Sequence, residues 1–202
     1  MSLLSALQFG DSAFPSGGFA FSWGLETALR DGRVGRDDLS GWIEAELLGR
    51  WARFDRVALA GAWEADPDWA EIVDAALWSE AMRLRSLEAG AALLTSARRM
   101  GLEPLPAAAH LPLAQAAAYR AAGLTLEEAL SVSAHQAAQG LASAAVRLNV
   151  VGAVAVQGLL RTLRPALERA AAAPAPGTPL SSFAPLSDIA MLRPRADRLF
   201  VT

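Results

Sequence analysis

Apolar residues recur three and four positions apart along nearly the whole chain, and this periodicity constrains the fold more than any other feature. Trp42, Ile43, Leu47 and Leu48 share one helical face, as do Trp69, Ile72, Val73, Ala76 and Leu77. Alanine, the strongest helix former, supplies 45 of the 202 residues. The run VVGAVAV from Val150 could be a short buried strand, but no second strand pattern is present to pair with it, so Val150–Leu163 is assigned to a helix. Further helices are expected over Leu3–Gln8, over Phe21–Leu29 with a stop at Asp31-Gly32, from an N-cap at Asp37 or Asp38 through Leu48, and over Phe54–Ala65. Others follow from Pro67, over Ser86–Met100 before Gly101, and over Leu113–Ala122. The last covers Thr125–Leu148, where Thr125 and Glu128 form a capping box.

The expected fold is all-α, a single-domain helical bundle of roughly eight to ten helices with an extended C-terminal arm. Residues 1–169 are read as the helical domain, including a Gly/Pro/aromatic loop near the N-terminus. Residues 170–202 are read as a linker and a C-terminal docking tail. From Ala170 to Pro185 the chain turns to alanine, then to proline and glycine. The closing stretch LSDIAMLRPRADRLFVT is more apolar than a disordered tail usually is, which suits a segment that docks.

Several chemistries are closed to this chain. It has no cysteine, so disulfides, thiolate metal sites and cysteine nucleophiles are excluded. All 18 basic residues are arginine, which removes a Schiff-base lysine and the lysine of a phosphate-binding P-loop. The 2 histidines, His110 and His135, are too few for a closed all-histidine metal site. A net charge of −3 and a pI near 5.4 argue against nucleic acid as a partner. The N-terminus lacks the basic, then apolar, pattern of a secretory signal. Leu148–Leu160 follows Arg147 and is too short for a bilayer core of ~30 Å. The expectation is a cytoplasmic protein that binds neither membrane nor nucleic acid.

The most unusual segment is the loop around Pro15, Gly17 and Gly18, crowded by Phe14, Phe19, Phe21 and Trp23. A glycine pair permits close backbone approach. No strand precedes it and the spacing is not GxGxxG, so a structural turn or an aromatic contact surface is favoured over a phosphate cradle. Ser12, Ser16 and Ser22 lack a base in any recognisable motif, and His135 reads as a packed mid-helix histidine. Asp66, Asp68 and Glu71 suit a helix start. Glu44 with Glu46, and Glu127 with Glu128, read as solvated faces. Residue chemistry alone therefore points to a helical protein with no catalytic residue, no metal site and no cofactor. A helical enzyme using the Gly-Gly loop and a histidine, or a generic helical dimerisation module, remains open at this point.

The two ends carry a resemblance. The string Pro15-x-Gly17-Gly18-Phe19, followed by Ser22-x-Gly24-Leu25-Glu26, is similar to the N-terminal signature of the UreF family of urease accessory proteins. Asp188-Ile189-Ala190 and Arg198-Leu199-Phe200 resemble the closing pattern of that family. Between them His110, Ala122-Gly123, Val146-Arg147-Leu148, Gly152 and Gln157 fall in the expected order. The chain departs from the pattern at Val150, Ala153 and Val156, at Arg193-Pro194, and in lacking an aromatic-Gly pair after His110.

The resemblance implies an all-helical homodimer that binds the accessory protein UreD, also called UreH, and through it apo-urease. It implies recruitment or regulation of the GTPase UreG during nickel insertion, a chaperone role in metallocentre assembly with no catalysis by the chain itself. It also implies that the tail orders near the N-terminal loop when UreD binds. The residues carried over as partner-binding are Phe19, Phe21, Glu26, Asp188, Arg198, Leu199 and Phe200, with Arg198 as the main hydrogen-bonding group of the tail.

Overall fold

In the computed structural model, which describes residues 3–16, 22–175 and 180–181, every regular element among the described residues is a helix. They are α1 (Leu3–Gly10), α2 (Leu25–Arg30), α3 (Leu39–Ala45), a π-helical stretch (Glu46–Asp55), α4 (Arg56–Gly61), α5 (Asp68–Ala76), α6 (Glu80–Arg99), α7 (Leu111–Ala121), α8 (Leu126–Arg147) and α9 (Ala153–Ala172). A short 3-10 turn, Ala62–Glu64, follows α4. The all-α expectation holds, and none of the described helices is long and apolar enough to cross a membrane.

Local chemistry sets most boundaries. The Thr125 hydroxyl accepts from Glu128 N–H at 3.3 Å, and the Glu128 carboxylate accepts from Thr125 N–H at 2.8 Å, so the capping box of α8 is complete. Ser79, in extended conformation, caps α6 by accepting from Met82 N–H at 3.2 Å, and the helix begins six residues before Ser86. α2 starts at Leu25 rather than Phe21, because Trp23 and Gly24 both have left-handed backbone (φ 51° and 84°), which no right-handed helix can include. Asp38 stands at the N-cap of α3, but its carboxylate accepts from Gly35 N–H at 2.9 Å, upstream of the helix.

Two segments differ from the sequence reading. The helices expected to break between Leu48 and Phe54 form one rod, because Glu46–Asp55 continues α3 in π-helical register. Leu47, Trp51, Phe54 and Ala58 then fall on its buried side. The run from Val150 is helical only from Ala153, and α9 extends to Ala172, through Pro165.

Three apolar clusters fill the interior. The first joins α2, α3, the π-helical stretch, α8 and α9 around Trp42, Leu47, Trp51 and Leu141. The second joins α1, α4, α6, α7 and α8 around Phe9, Leu59, Leu93 and Tyr119. The third, Phe54, Ala58, Val73, Leu77 and Met82, seats α5 against the rod. α7 runs through the middle because Ala114, Ala116, Ala117 and Ala118 let neighbours approach closely. At Gly90 the backbones approach closely: a Cβ there would lie 2.0 Å from the Ala109 carbonyl oxygen. Of the tryptophans, Trp42 and Trp51 are core residues, whereas Trp78 is exposed.

Candidate functional site

The rod through the π-helical stretch contacts both Trp23, just after the N-terminal loop, and the chain after α9. A π-helix packs poorly and is rare; where it occurs it redirects side chains and frees backbone groups. Here it turns Arg50 inward, to 5% exposure, and brings its guanidinium over the Trp23 ring at 4.5 Å from the centroid. Trp23 lies just after the N-terminal loop, so this contact ties the loop exit to the rod. The loop entry is held by α6, where the Ser96 hydroxyl donates to the Pro15 carbonyl at 3.0 Å. Phe14 stacks at a tilt on Phe9, centroids 4.8 Å apart, which pins the preceding turn to α1.

Between loop, rod and α8 lies a cavity of about 100 Å³. Among its described lining residues are Phe14, Ser16, Trp23, Trp51, Asp55 and Gln139. Beneath it runs a buried polar chain. Trp51 Nε1–H donates to Ser133 Oγ at 3.1 Å, and Ser133 donates to Gln115 Oε1 at 3.1 Å. Gln115 Nε2 and Tyr119 O–H both donate to Gln136 Oε1, at 3.0 and 2.7 Å, and Gln136 Nε2 donates to the Phe9 carbonyl at 2.5 Å. The π-helical stretch, α7, α8 and the end of α1 are thereby linked by groups that satisfy one another. Burial pushes the Tyr119 hydroxyl pKa well up, so it stays a donor.

Asp55 is half-buried and borders both this cavity and a smaller one beside Arg50, Arg85 and Met82. Loss of hydration raises its carboxyl pKa from 3.8 to about 6, and the nearby Arg50 charge opposes that rise.

The chain beyond α9 reaches the same rod. Buried Arg56 donates from a terminal nitrogen to the carbonyl of Ala173, the C-cap of α9, at 2.6 Å. Leu180 packs against the cluster of Phe54, Val73 and Met82, and Ser181 N–H donates to the Arg53 carbonyl at 3.0 Å.

Of the residues carried over as partner-binding, Glu26 is described: it is buried in α2, its carboxylate 3.0 Å from Arg30. Phe19, Phe21, Asp188, Arg198, Leu199 and Phe200 lie outside the described residues. Among the described residues no cluster of three or more His, Asp or Glu side chains is arranged to hold a metal.

The histidines divide. His110 is buried and donates from Nε2 to Asp74 at 3.2 Å, while Arg83 holds the same carboxylate oxygen at 3.1 Å. Burial lowers the His110 pKa in spite of Asp74. His135 is not packed as read from the sequence: it is an exposed residue of α8, near Gly10 and Arg164. Partial desolvation and the Arg164 charge lower its pKa. Glu46 also departs from the solvated reading, at 5% exposure, because it falls on the face of α3 that buries Trp42 and Ile43.

Sequence reasoning missed Arg50, Asp55, Arg56 and the Gln115–Ser133–Gln136 chain. The signal available was the spacing of Leu47, Trp51, Phe54 and Ala58, which keeps a helical face running straight through the charged segment GRWARFDR.

Comparison with known proteins gives the family. A family model described as UreF matches residues 34–164. A urease accessory protein UreF from Cereibacter sphaeroides is 38% identical over 200 residues, covering 95% of this chain and 93% of its own length. Its counterparts in Paracoccus denitrificans and Agrobacterium fabrum are 36% and 33% identical over 195 and 203 residues, covering 94% and 95% of this chain and 90% and 91% of theirs. With the family model spanning more than half of the chain and relatives above 30% identity along nearly all of it, the chain belongs to the UreF family.

Proposed function

We propose that this chain is a non-catalytic urease maturation factor that works in the cytoplasm by docking. It binds the accessory protein UreD through its two ends, reaches apo-urease through that partner, and as a homodimer offers a surface on which the GTPase UreG is recruited or regulated during nickel insertion. Phe19 and Phe21 supply aromatic contacts. Glu26 holds the helix that follows the loop. Asp188, Arg198, Leu199 and Phe200 engage from the tail.

The observation that supports this reading is the convergence of both ends on one π-helical stretch. Trp23 sits on Arg50, and the chain after α9 is bound to Arg53 and Arg56. A generic helical module has no need to bring its two most irregular segments to one place. The family relatives are named as urease accessory proteins, which gives that place a task.

Co-purification with UreD from the same organism tests the reading. The full chain is expected to form a stable complex that takes up UreG in the presence of GTP and nickel. The chain truncated after Ser181 is expected to keep its helical circular dichroism and to lose UreD. Undiminished UreD binding by the truncated chain would refute docking through the tail.

A further inference from the structure

We propose that Arg56 is a positioning residue for the C-terminal arm: it joins the carbonyl left over by the π-to-α transition to the end of α9, and so fixes where residues 182–202 leave the bundle. The inference rests on the docking role of the tail proposed above for its consequence, but not for its geometry.

The argument begins in the backbone. In the π-helical stretch each N–H reaches back five residues, and Arg56 N–H still does so, to the Trp51 carbonyl. From α4 onward each N–H reaches back four. A ladder that shortens its reach by one must skip one carbonyl, and the next after Trp51 is that of Ala52. An unpaired buried carbonyl is costly. The Arg56 side chain fills it: Nε donates to Ala52 O at 3.0 Å. The same guanidinium then turns its terminal nitrogen to Ala173 O at 2.6 Å.

Arg56 is 4% exposed, and among the described residues no carboxylate pairs with it. Its charge is met by two carbonyl dipoles, one at the negative end of the 20-residue α9. The planar fork of arginine serves both acceptors at once, which a lysine ammonium on a flexible stem does less well.

A residue that merely capped α9 would leave the following chain free to wander. Instead the chain returns to the same rod, where Ser181 N–H bonds Arg53 O, one position from the carbonyl that Arg56 fills, and Leu180 enters the cluster of Phe54, Val73 and Met82. Arg56 and Leu180 thus hold the strap at both ends of its crossing, Ala173 and Ser181. A tail that leaves a fixed point loses less freedom on docking than one that leaves a swinging linker.

The absence of cysteine makes the test direct. In the full-length protein, Glu71→Cys on exposed α5 and Ala175→Cys on the strap carry spin labels, and pulsed electron paramagnetic resonance reads the distance between them. A single narrow distribution is expected. Arg56→Met, which keeps the buried aliphatic stem, is expected to broaden it, and Arg56→Lys to broaden it less. Leu180→Asn is expected to broaden it from the other end without touching the buried arginine, which keeps the idea testable should Arg56→Met fail to fold. Unchanged narrow distributions in folded Arg56→Met, or in Leu180→Asn should the arginine variant not fold, would overturn the proposal.

Binding to immobilised UreD completes the experiment. Arg56→Met with an intact tail is expected to bind about tenfold more weakly. Broad distributions with unchanged affinity would refute positioning for docking while leaving the tail as the docking element. Undiminished UreD binding by the chain truncated after Ser181 would instead refute the tail reading itself, and the distance measurement on Arg56 would stand on its own.

Discussion

Replacing Asp55 with asparagine isolates the electrostatic cost of the site. Its carboxyl stands in the wall between two small cavities, with Trp23, Trp51 and Arg50 around it, and its pKa is raised from 3.8 to about 6 by desolvation. The fold therefore prefers the protonated acid. The contribution of Asp55 to stability is fully present below pH 3.8, falls as pH rises toward 6, and stays low above that. At 1.36 kcal/mol for each tenfold change in proton affinity, the ionised fold is about 3 kcal/mol less stable than the protonated one. Asparagine has the same shape and cannot ionise. Urea unfolding from pH 4 to 8 is the assay. The Asp55→Asn curve is expected to cross above the wild type as pH rises, with a gap approaching 2–3 kcal/mol by pH 7.5. His110 and His135 have lowered pKa values and cost stability as pH falls, the opposite sign, but they are common to both proteins and cancel in the difference. Parallel curves at all pH values would refute the reasoning and mean that the carboxyl is solvated through the cavity. An asparagine variant less stable at pH 7.5 would mean that attraction to the Arg50 charge outweighs desolvation.

Four further outcomes are expected. Ser133→Ala strands the Trp51 N–H and should cost roughly 1–3 kcal/mol in denaturant unfolding. Gly90→Ala drives a methyl into the Ala109 carbonyl and should cost about 1–3 kcal/mol or more, by the same measurement. Thr125→Ala removes one half of the capping box and should cost about 1 kcal/mol. Arg198→Ala should weaken the UreD complex in a pull-down titration with little change in melting temperature; a large drop in melting temperature would make it a residue of the fold instead.

Helix periodicity and the capping box of α8 were legible because both are local: a face repeats every turn, and a Thr and a Glu three residues apart satisfy one another wherever they occur. The start of α2 was not, since only the left-handed backbone at Trp23 and Gly24 delays it, and a tryptophan at positive φ has no sequence signature. The continuous rod from Leu39 to Gly61 was obscured by charge. Arg50, Arg53, Asp55 and Arg56 look like a solvated break, yet Arg50 and Arg56 are buried and distant residues supply the partners: Trp23 for Arg50, Ala173 for Arg56, and Ser181 for the carbonyl of exposed Arg53. Such partners are 27 to 128 positions away along the chain, a separation no local pattern encodes, except through the apolar spacing that runs beneath the charges.

The family was legible from the ends, yet the family model matches the middle, residues 34–164. The two facts have one physical source. In the middle, similarity is spread over many core positions, any of which tolerates another apolar residue of about the same volume, so no short string stands out. At the ends, short strings such as Pro15-x-Gly17-Gly18 and Arg198-Leu199-Phe200 stand out by residue type rather than by volume. The π-helical stretch lies between these regimes. It is built from core spacing, but its shifted register leaves carbonyls over and turns charges inward, and the chain meets both demands with its terminal segments. If that account is right, shortening the rod by one residue within Glu46–Asp55, so that the ladder becomes α-helical throughout, should spare most of the bundle while releasing both Trp23 from Arg50 and the strap from Arg53 and Arg56. Hydrogen exchange would then rise together at the loop exit and at residues 173–175 and 180–181. A rise at one end alone would mean that the two ends share a helix but not a cause.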